Sequence, residues 1–328
     1  MKLGFVSIEK TLWGDSKTND RIFGGKATKR SRYGAITKDR IVRTLRSAEI
    51  CRKGGLKYHV IDSEWKWTYL TSYEAHKLIS YSEGLVTVIT FSTRHYGSLR
   101  LMQRIVRQIA AVNDLALNLV IGNKAYLNSS ESRRPAIRTL IDSIKFVRRH
   151  FGNMTVFIGT EGLTEEAARL AAEYDLTPFV LLDKYLQRDL SLIKDVCGNR
   201  DVAVYIPFLV SSNYARLLRD VLYRLSGYML RRRWVQNELR RIGYNPSMSM
   251  MRSIIQEKKP LPNELLRSKL GSLLKLASES LALYGDEQLV VERLRNLRRL
   301  GVSTFIGLPI KENDQQILWF ARCLDSIG

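Results

Sequence analysis

The chain has 328 residues, of which 45% are hydrophobic, an ordinary share for a globular protein. Lys and Arg number 53 against 32 Asp and Glu, which gives a formal net charge of +21. The three cysteines are odd in number and widely spaced, so the sequence indicates neither a disulfide framework nor a zinc site. No apolar run reaches the length that a membrane-spanning helix needs. We therefore expect a cytoplasmic protein with reduced thiols and no membrane partner.

Short apolar runs alternate with amphipathic helical stretches along the chain. This alternation is typical of strand–helix units in a parallel sheet that is buried on both faces. Eight such units are the number that a closed (β/α)8 TIM barrel requires. The sequence therefore predicts one TIM-barrel domain over residues 1–328, with its chemistry on the loops that leave the carboxyl ends of the strands. The predicted strands are Leu3–Ile8, Lys57–Asp62, Leu85–Phe91, Ala116–Ile121, Met154–Ile158, Thr177–Leu182, Val202–Phe208 and Val302–Ile306.

The segment 10–40, after the first predicted strand, is too long for an ordinary barrel loop. It holds nine Lys or Arg against three Asp, together with a Gly-Gly-Lys and a Lys-Arg-Ser-Arg-Tyr sequence. Such a segment would wrap a phosphate or a nucleic-acid backbone, or else form a mobile basic loop without a specific ligand. Its candidate nucleic-acid-binding residues are Lys26, Lys29, Arg30 and Arg32.

The segment 211–284 is a second insertion, between the seventh predicted strand and a helix predicted over Asp286–Leu300. Breaks at Gly and Pro residues divide it into four predicted helices. We expect these helices to pack on the mouth of the barrel as a lid, with the arginines near Trp234 facing solvent or an anion. The helices are Tyr214–Gly227, Tyr228–Ile242, Ser247–Glu257 and Asn263–Leu283, and the arginines that would bind nucleic acid are Arg231, Arg232 and Arg233.

Three stretches of the chain match a known pattern. The stretch 292–310 joins a helix, a strand and a Gly-Leu-Pro loop, 156–175 joins a strand, a Gly-rich turn and a helix, and 201–207 is a strand that precedes the helical insertion. Together they resemble the bacterial-luciferase-like superfamily, especially its archaeal deazaflavin-dependent members such as methylenetetrahydromethanopterin reductase. The resemblance implies a TIM barrel that transfers a hydride between a cofactor and a small substrate. The implied cofactor is a deazaflavin (coenzyme F-420) or FMN.

Glycines and cations at the predicted mouth are the candidate cofactor ligands. Gly159 and Gly162 bracket the turn after the fifth strand, where free backbone amides at a helix N-terminus suit a phosphate. Gly122 and Lys124 offer a similar anion site after the fourth strand, and Arg94 would bind an acidic cofactor tail. The alternative is that the glycines only permit tight turns.

Asp62 and His95 are the candidate catalytic residues because each lies at or just after the carboxyl end of a predicted strand and so faces the mouth. Asp62, with Glu64 and Glu161, would form an acid–base set. His95 would act in proton transfer, or else be an ordinary surface histidine. The histidines do not cluster with carboxylates at metal-ligand spacing, so no metal site is predicted.

The cofactor end of the chain departs from the family pattern. Asp62 is followed by Ser63 where family members often carry histidine, and Ala116–Asn118 replaces the usual Ser-Gly-Gly-Arg turn. These departures and the charge of +21 support an alternative, a barrel without a cofactor that binds RNA, DNA or the ribosome through its basic surface. If the protein is the hydride-transferring enzyme, its partner is an acidic cofactor or a small-molecule substrate. Both functions are compatible with a homo-oligomer.

Overall fold

The computed structural model describes residues 2–7, 45–62, 84–95, 99–100, 102–103, 115–122, 127, 129–152, 154–160, 164–212, 214–254, 263–311 and 314–328. Nine strands lie in these ranges. They are β1 Lys2–Ser7, β2 Tyr58–Asp62, β3 Val86–Ser92, β4 Leu115–Val120, β5 Val156–Gly159, β6 Thr177–Leu181, β7 Ala203–Val210, β8 Leu283–Gly285 and β9 Thr304–Pro309.

Strands β1–β7 and β9 form one ring in which every neighbouring pair is parallel. β1 pairs with β2 and with β9, and the chain order is kept from β2 to β7. β7 pairs with both β6 and β9, which closes the ring. The predicted (β/α)8 TIM barrel is therefore confirmed, and each of its eight strands lies within a few residues of the predicted bounds.

Helices follow most of the strands in the described ranges, and none of those helices is long and apolar enough to cross a membrane. The helix α1 covers residues 45–53. The others are α2 Ser129–Ser132, α3 Ala136–Phe151, α4 Thr164–Tyr174, α5 Leu186–Cys197, α6 Tyr214–Arg231, α7 Arg233–Arg241, α8 Met248–Ile254, α9 Asn263–Arg267, α10 Lys269–Leu281, α11 Glu287–Arg299 and α12 Asp314–Asp325.

The inner face of the ring is apolar over its lower part. Tyr58, Val88, Ala116, Phe157 and Ile306 pack together there. Alternate residues of the same strands pack outward against the surrounding helices. Because both faces are buried, the strands appear in the sequence as continuous apolar runs, and this made their bounds predictable.

The helical insertion after β7 is present, but two of its predicted boundaries are wrong. Helix α6 continues through Gly227 and ends at Arg231, because the apolar spacing of its buried face is not interrupted there. The predicted helix Asn263–Leu283 is divided at Ser268, whose side chain caps α10 by accepting a hydrogen bond from the Gly271 amide. Its last predicted residue lies in β8, a strand absent from the prediction that pairs with the end of β7.

Candidate functional site

Polar side chains interrupt the apolar inner face of the barrel near the carboxyl ends of β3 and β4. Asp62, Thr90 and Asn118 are register partners on β2, β3 and β4, so they occupy one row. The Asn118 amide nitrogen donates to the Thr90 hydroxyl at 3.2 Å. Ser92 occupies the next inward position on β3. A polar wall therefore rises above the apolar floor.

Two atoms of this wall lack a partner. Ser92 Oγ and Asn118 Oδ1 are buried, and neither has a hydrogen-bond partner within the part of the chain that the structure describes. An unsatisfied buried polar atom costs about 1–3 kcal/mol, so native structures rarely keep one without a ligand or water to satisfy it. The wall is therefore suited to a polar ligand inside the barrel mouth.

The opposite side of the mouth is apolar. Leu181, Tyr205 and Leu308 lie on the inward-facing positions of β6, β7 and β9, and all three are only partly buried. Val120 on β4 and Gly159 on β5 are also inward-facing and partly exposed. Inward-facing residues that remain accessible indicate a chamber at the carboxyl end of the barrel.

We call this region the upper chamber. It has a polar wall and an apolar wall, and its floor is the apolar layer that contains Tyr58, Val88, Ala116, Phe157 and Ile306. Its residues are Thr90, Ser92, Asn118, Val120, Gly159, Leu181, Tyr205 and Leu308.

Arg94, predicted to bind an acidic cofactor tail, lies on the rim of the chamber. Its side chain is buried, and Nε and Nη2 donate to the main-chain carbonyls of Ile121 and Gly122, each at 2.6 Å. These bonds tie the turn after β3 to the end of β4. Arg94 therefore shapes the rim, and its contact with a cofactor remains a prediction.

Both described glycines of the predicted anion sites are places of close approach. Gly122 has φ +80°, and a Cβ atom there would lie 2.0 Å from Ser92 Oγ. A Cβ atom at Gly159 would lie 2.7 Å from Val120 Cγ1. Packing thus explains why these positions are glycine, and phosphate binding by them stays a prediction. Lys124 and Gly162 lie outside the described residues.

His95 and Glu131 form a buried pair beside the polar wall. His95 Nδ1 lies 3.3 Å from Glu131 Oε2, and both side chains are fully buried. Glu131 belongs to the short helix α2, which the chain reaches after leaving β4. The alternative of a surface histidine is wrong. Asp62 is the other candidate catalytic residue. The structure describes its position in the β2 register but not its side chain.

The arginines near Trp234 do not share one environment. Arg232 is buried, with Nε 3.3 Å from Asp183 Oδ2, and Trp234 Nε1 donates to Asp183 Oδ1 at 3.1 Å. Asp183 follows β6, so these contacts fasten the insertion to the barrel. Arg232 thus faces an anion of its own chain, whereas Arg233 is exposed and Arg231 is partly buried. The predicted nucleic-acid residues Lys26, Lys29, Arg30 and Arg32 lie outside the described residues.

Sequence reasoning missed Glu131 and the polar wall. A signal for the wall was present, because Thr90, Ser92 and Asn118 are polar residues within strands that are otherwise apolar. No such signal marked Glu131, since its partner is distant in sequence and its helix has only four residues.

Solved structures with this fold are known. The oxygenating constituent of 3,6-diketocamphane monooxygenase from Pseudomonas putida, a type II Baeyer–Villiger monooxygenase in complex with FMN, has a TM-score of 0.60 at 12% identity, over 98% of this chain and 97% of its own. An EDTA monooxygenase from a Chelativorans species has a TM-score of 0.58 at 14% identity, over 100% and 95%. An F-420-dependent secondary alcohol dehydrogenase, in complex with an F-420–acetone adduct, has a TM-score of 0.58 at 11% identity, over 88% and 96%. At these identities the likeness shows a shared TIM-barrel fold.

No protein of curated function matches the sequence. One family pattern does match, over residues 56–316, and it is described as a family of unknown function, DUF7388. This match covers β2 to the start of α12, and so most of the barrel together with the helical insertion. The chain therefore belongs to the DUF7388 family.

Proposed function

We propose that the chain is a luciferase-like oxidoreductase that transfers a hydride between a flavin or deazaflavin and a small substrate. The observation that carries this proposal is the two-sided upper chamber, whose polar wall ends in the unpartnered atoms Ser92 Oγ and Asn118 Oδ1. The shared fold adds support, because neighbours with this barrel are described in complex with FMN or an F-420 adduct.

The polar wall fits the heteroatom edge of either cofactor. Flavin and deazaflavin rings present amide-like carbonyls and an N–H along one edge, and the rest of the ring system is flat and apolar. Asn118 Oδ1 would accept from the N–H, and the Ser92 hydroxyl would donate to a carbonyl. When bound, the cofactor supplies the two-electron hydride chemistry that side chains lack.

The apolar wall would receive the body of the substrate. Leu181, Tyr205 and Leu308 present mostly carbon surface, which excludes water from the reacting atoms. His95 would carry the proton that accompanies the hydride, with Asp62 as a further acid–base group. The phosphate-bearing part of the cofactor would lie toward Gly122, Lys124, Gly159 and Gly162.

Titration of the purified protein with FMN and with deazaflavin tests this proposal, monitored by cofactor absorbance and fluorescence. We expect saturable binding of at least one, and about tenfold weaker binding by Asn118→Ala, which loses one hydrogen bond worth about 1.4 kcal/mol. The control is Asn237→Ala, a change on α7 in the insertion. Binding of neither cofactor by the wild type would refute the proposal, and equal affinity in Asn118→Ala would refute the role of the wall.

A second candidate is nucleic-acid binding, and one exposed cluster after β6 favours it. Tyr185 is 40% exposed, and Lys184 Nζ and Arg188 Cζ each lie 4.8 Å from its ring centroid. Cations around an exposed aromatic ring suit the stacking of an unpaired base beside its phosphate. Titration with single-stranded RNA at two salt concentrations tests it. Binding that weakens with salt and falls in Tyr185→Ala would support this function, and no binding at low salt would exclude it.

A further inference from the structure

We infer that the exposed face of α7 and the cluster around Tyr185 form one surface that binds single-stranded nucleic acid, separately from the upper chamber. The inference rests on the nucleic-acid candidate and extends it from a single aromatic residue to a surface with a second aromatic residue, Tyr244, at its far end. Nucleic-acid binding tests it without any cofactor.

The exposed face of α7 is positively charged. The exposed residues of this helix recur three or four positions apart, so they lie on one side. They are Arg233, Asn237, Arg240 and Arg241. The carboxylate of Glu238 lies beside them and accepts a hydrogen bond from Arg241 Nε at 2.8 Å. Three arginines against one glutamate leave this face with a net positive charge.

Lys184 joins the face of α7 to the cluster after β6. Its Nζ lies 4.8 Å from the ring centroid of Tyr185 and 4.3 Å from that of Trp234, the second residue of α7. Trp234 Nε1 donates to Asp183 Oδ1 at 3.1 Å, which holds the beginning of α7 against the loop after β6. The surface therefore continues from Tyr185 across Lys184 to the exposed face of α7, and we call it the cationic track.

A second exposed aromatic residue follows α7. Tyr244 is 39% exposed, close to the 40% of Tyr185. Its amide donates to the Leu239 carbonyl at 2.8 Å, so it stays beside the end of the helix. Because α7 has nine residues and is about 14 Å long, the two tyrosines lie toward opposite ends of the cationic track.

The arginines of the cationic track are available to a ligand. Among the described residues, Arg233 has neither a hydrogen bond nor an ion pair. Arg240 contacts only side chains of its own helix, with Nη1 3.3 Å from Asn237 Oδ1 and Nη2 3.5 Å from Gln236 Oε1. Neither arginine donates to a main-chain carbonyl in the part of the chain that the structure describes. Their guanidinium groups can therefore pair with phosphate.

The combination of exposed rings and cations favours single-stranded nucleic acid over other anions. An unpaired base stacks on an aromatic ring while its phosphate pairs with a neighbouring cation. A duplex keeps its bases stacked inside, and an acidic peptide supplies charge without bases. The two tyrosines therefore distinguish this ligand from ligands that only carry negative charge.

Fluorescence anisotropy with labelled oligouridylate and oligodeoxythymidylate, each about 12 nucleotides long, measures the binding at about 50 and about 200 mM salt. We expect the wild type to bind at least one of them, with an affinity that falls as the salt concentration rises. The stronger ligand identifies the source as RNA or DNA. No binding of either at the lower salt concentration would overturn the inference, and the nucleic-acid candidate with it.

Arg240→Ala and Arg299→Ala form a matched pair of charge variants. Each removes an exposed arginine that donates from the last turn of a helix to an asparagine three residues earlier, at 3.3 Å in α7 and 3.2 Å in α11. Arg240→Ala should reduce the slope of log affinity against log salt by about 0.7, the value of one phosphate contact on a single strand. Arg299→Ala should leave the slope unchanged. Equal effects would show that binding follows net charge alone, and would overturn the cationic track.

Variants of Tyr244 test the stacking. Tyr244→Leu keeps an apolar side chain but removes the ring, so it should weaken binding at least about fivefold, whereas Tyr244→Phe should bind like the wild type. Weaker binding in Tyr185→Ala with unchanged binding in Tyr244→Leu would keep nucleic-acid binding at the cluster after β6 and overturn its extension along α7. Polyglutamate is the competitor without bases. If it displaces the oligonucleotide as well as unlabelled oligouridylate does at equal charge, the inference is overturned in favour of an acidic peptide.

The outcomes also distinguish this inference from the oxidoreductase. Arg240→Ala and Tyr244→Leu should leave flavin or deazaflavin affinity unchanged, because neither residue belongs to the upper chamber. Nucleic-acid binding by a protein that binds neither cofactor would refute the oxidoreductase and keep the cationic track. Cofactor binding without nucleic-acid binding would keep the oxidoreductase and overturn the cationic track.

Discussion

The two ends of the barrel use their polar side chains differently. At the amino-terminal end, arginine side chains close the loops that lead into the strands by donating to main-chain carbonyls. At the carboxyl-terminal end, Ser92 Oγ and Asn118 Oδ1 have no partner within the described residues. Thr87 Oγ1 and Thr304 Oγ1, near the amino-terminal end, are likewise buried without a partner in the described residues. It is therefore the position of Ser92 and Asn118 at the carboxyl ends of their strands that suits these two residues to a ligand.

Arg148 donates to four main-chain carbonyls at the amino-terminal end. From α3 it donates to the carbonyls of Tyr174 at 2.9 Å, Met154 at 2.8 Å, Gly152 at 3.1 Å and Asp175 at 2.5 Å. These carbonyls lie in the loops that enter β5 and β6, including the end of α4, where helical carbonyls lack intrahelical partners. One guanidinium therefore joins α3, α4 and two loops.

Other arginines that donate to main-chain carbonyls account for part of the positive net charge. Arg298 donates to the carbonyls of Ile327 and Gly328, and Arg200 to the carbonyl of Ala172. On the rim of the upper chamber, Arg94 and Arg134 also donate to main-chain carbonyls. An excess of arginine is thus not by itself a sign of a polyanionic partner, because these cations serve the fold.

The largest effect that we predict compares a glycine from each end. Gly122 at the mouth and Gly55 before β2 have φ +80° and +67°, but only Gly122 has a neighbour within 4 Å of an added Cβ atom. A left-handed conformation costs an L-residue about 1–2 kcal/mol, and overpacking adds about 1–3 kcal/mol. Gly122→Ala should therefore lose about 2–5 kcal/mol of unfolding free energy, and Gly55→Ala only about 1–2 kcal/mol.

Urea denaturation of both variants measures this difference. Similar losses would show that the turn after β4 yields to the added methyl group, and that its contact with Ser92 does not constrain the mouth.

The next effect concerns a buried histidine on the outer face of β2. Burial lowers the pKa of His59 from its ordinary 6.5 to about 4, and Nε2 is 2.9 Å from Ser47 Oγ. Below pH 6.5 the unfolded chain binds a proton that the folded chain takes up only near pH 4. Stability is therefore complete above pH 6.5 and falls by about 3 kcal/mol as the pH is lowered to about 4.

Unfolding free energies of the wild type and His59→Gln across this range isolate the contribution. Their difference should change with pH between 6.5 and about 4. Parallel curves for the wild type and His59→Gln would contradict the lowered pKa.

The third effect tests whether the bonds from Arg148 to the loop carbonyls stabilise the protein. Arg148→Ala should lose about 2 kcal/mol, because several carbonyls lose a charged donor at once, and Arg148→Lys should recover little of it, since an ammonium cannot reproduce the planar fork. Arg149→Ala, an exposed neighbour on α3, should change stability by less than about 0.5 kcal/mol. Cofactor affinity should stay unchanged in all three, and a loss of affinity in Arg148→Ala would mean that the two ends are coupled.

The sequence was informative wherever burial on both faces dictated an apolar run. All eight barrel strands follow from that rule, and the helix predicted over Asp286–Leu300 is present as α11. The sequence-based prediction was wrong where a single residue sets a helix boundary. Ser268 caps a helix inside a continuous helical pattern, and Gly227 does not end the helix in which it lies. Helix periodicity does not detect a cap within an unbroken pattern, nor does it show that packing overrides a glycine.

The site was harder to predict because its parts meet only in three dimensions. His95 and Arg94 were selected from their place after a strand, and both lie on the rim. Their partners, Glu131 for the one and the carbonyls of β4's end for the other, lie on separate segments. Spacing along the chain carries no record of such contacts, so the roles of these side chains required the fold.

The smallest effect on stability is the most direct test of the comparison between the ends. Ser92→Ala removes a buried hydroxyl without a partner in the described residues, so it should leave stability unchanged or raise it by up to about 1 kcal/mol. Ser278→Ala is the matched control, because Ser278 is equally buried but donates to the Leu274 carbonyl at 2.8 Å, and it should lose about 1 kcal/mol.

Flavin or deazaflavin affinity should show the reverse order, with a loss of about tenfold in Ser92→Ala and none in Ser278→Ala. A hydroxyl that costs stability and is retained for binding is what a functional site predicts. If Ser92→Ala instead destabilises the protein and leaves affinity intact, the hydroxyl is part of the fold and the carboxyl end of the barrel does not differ from the other end in the way proposed.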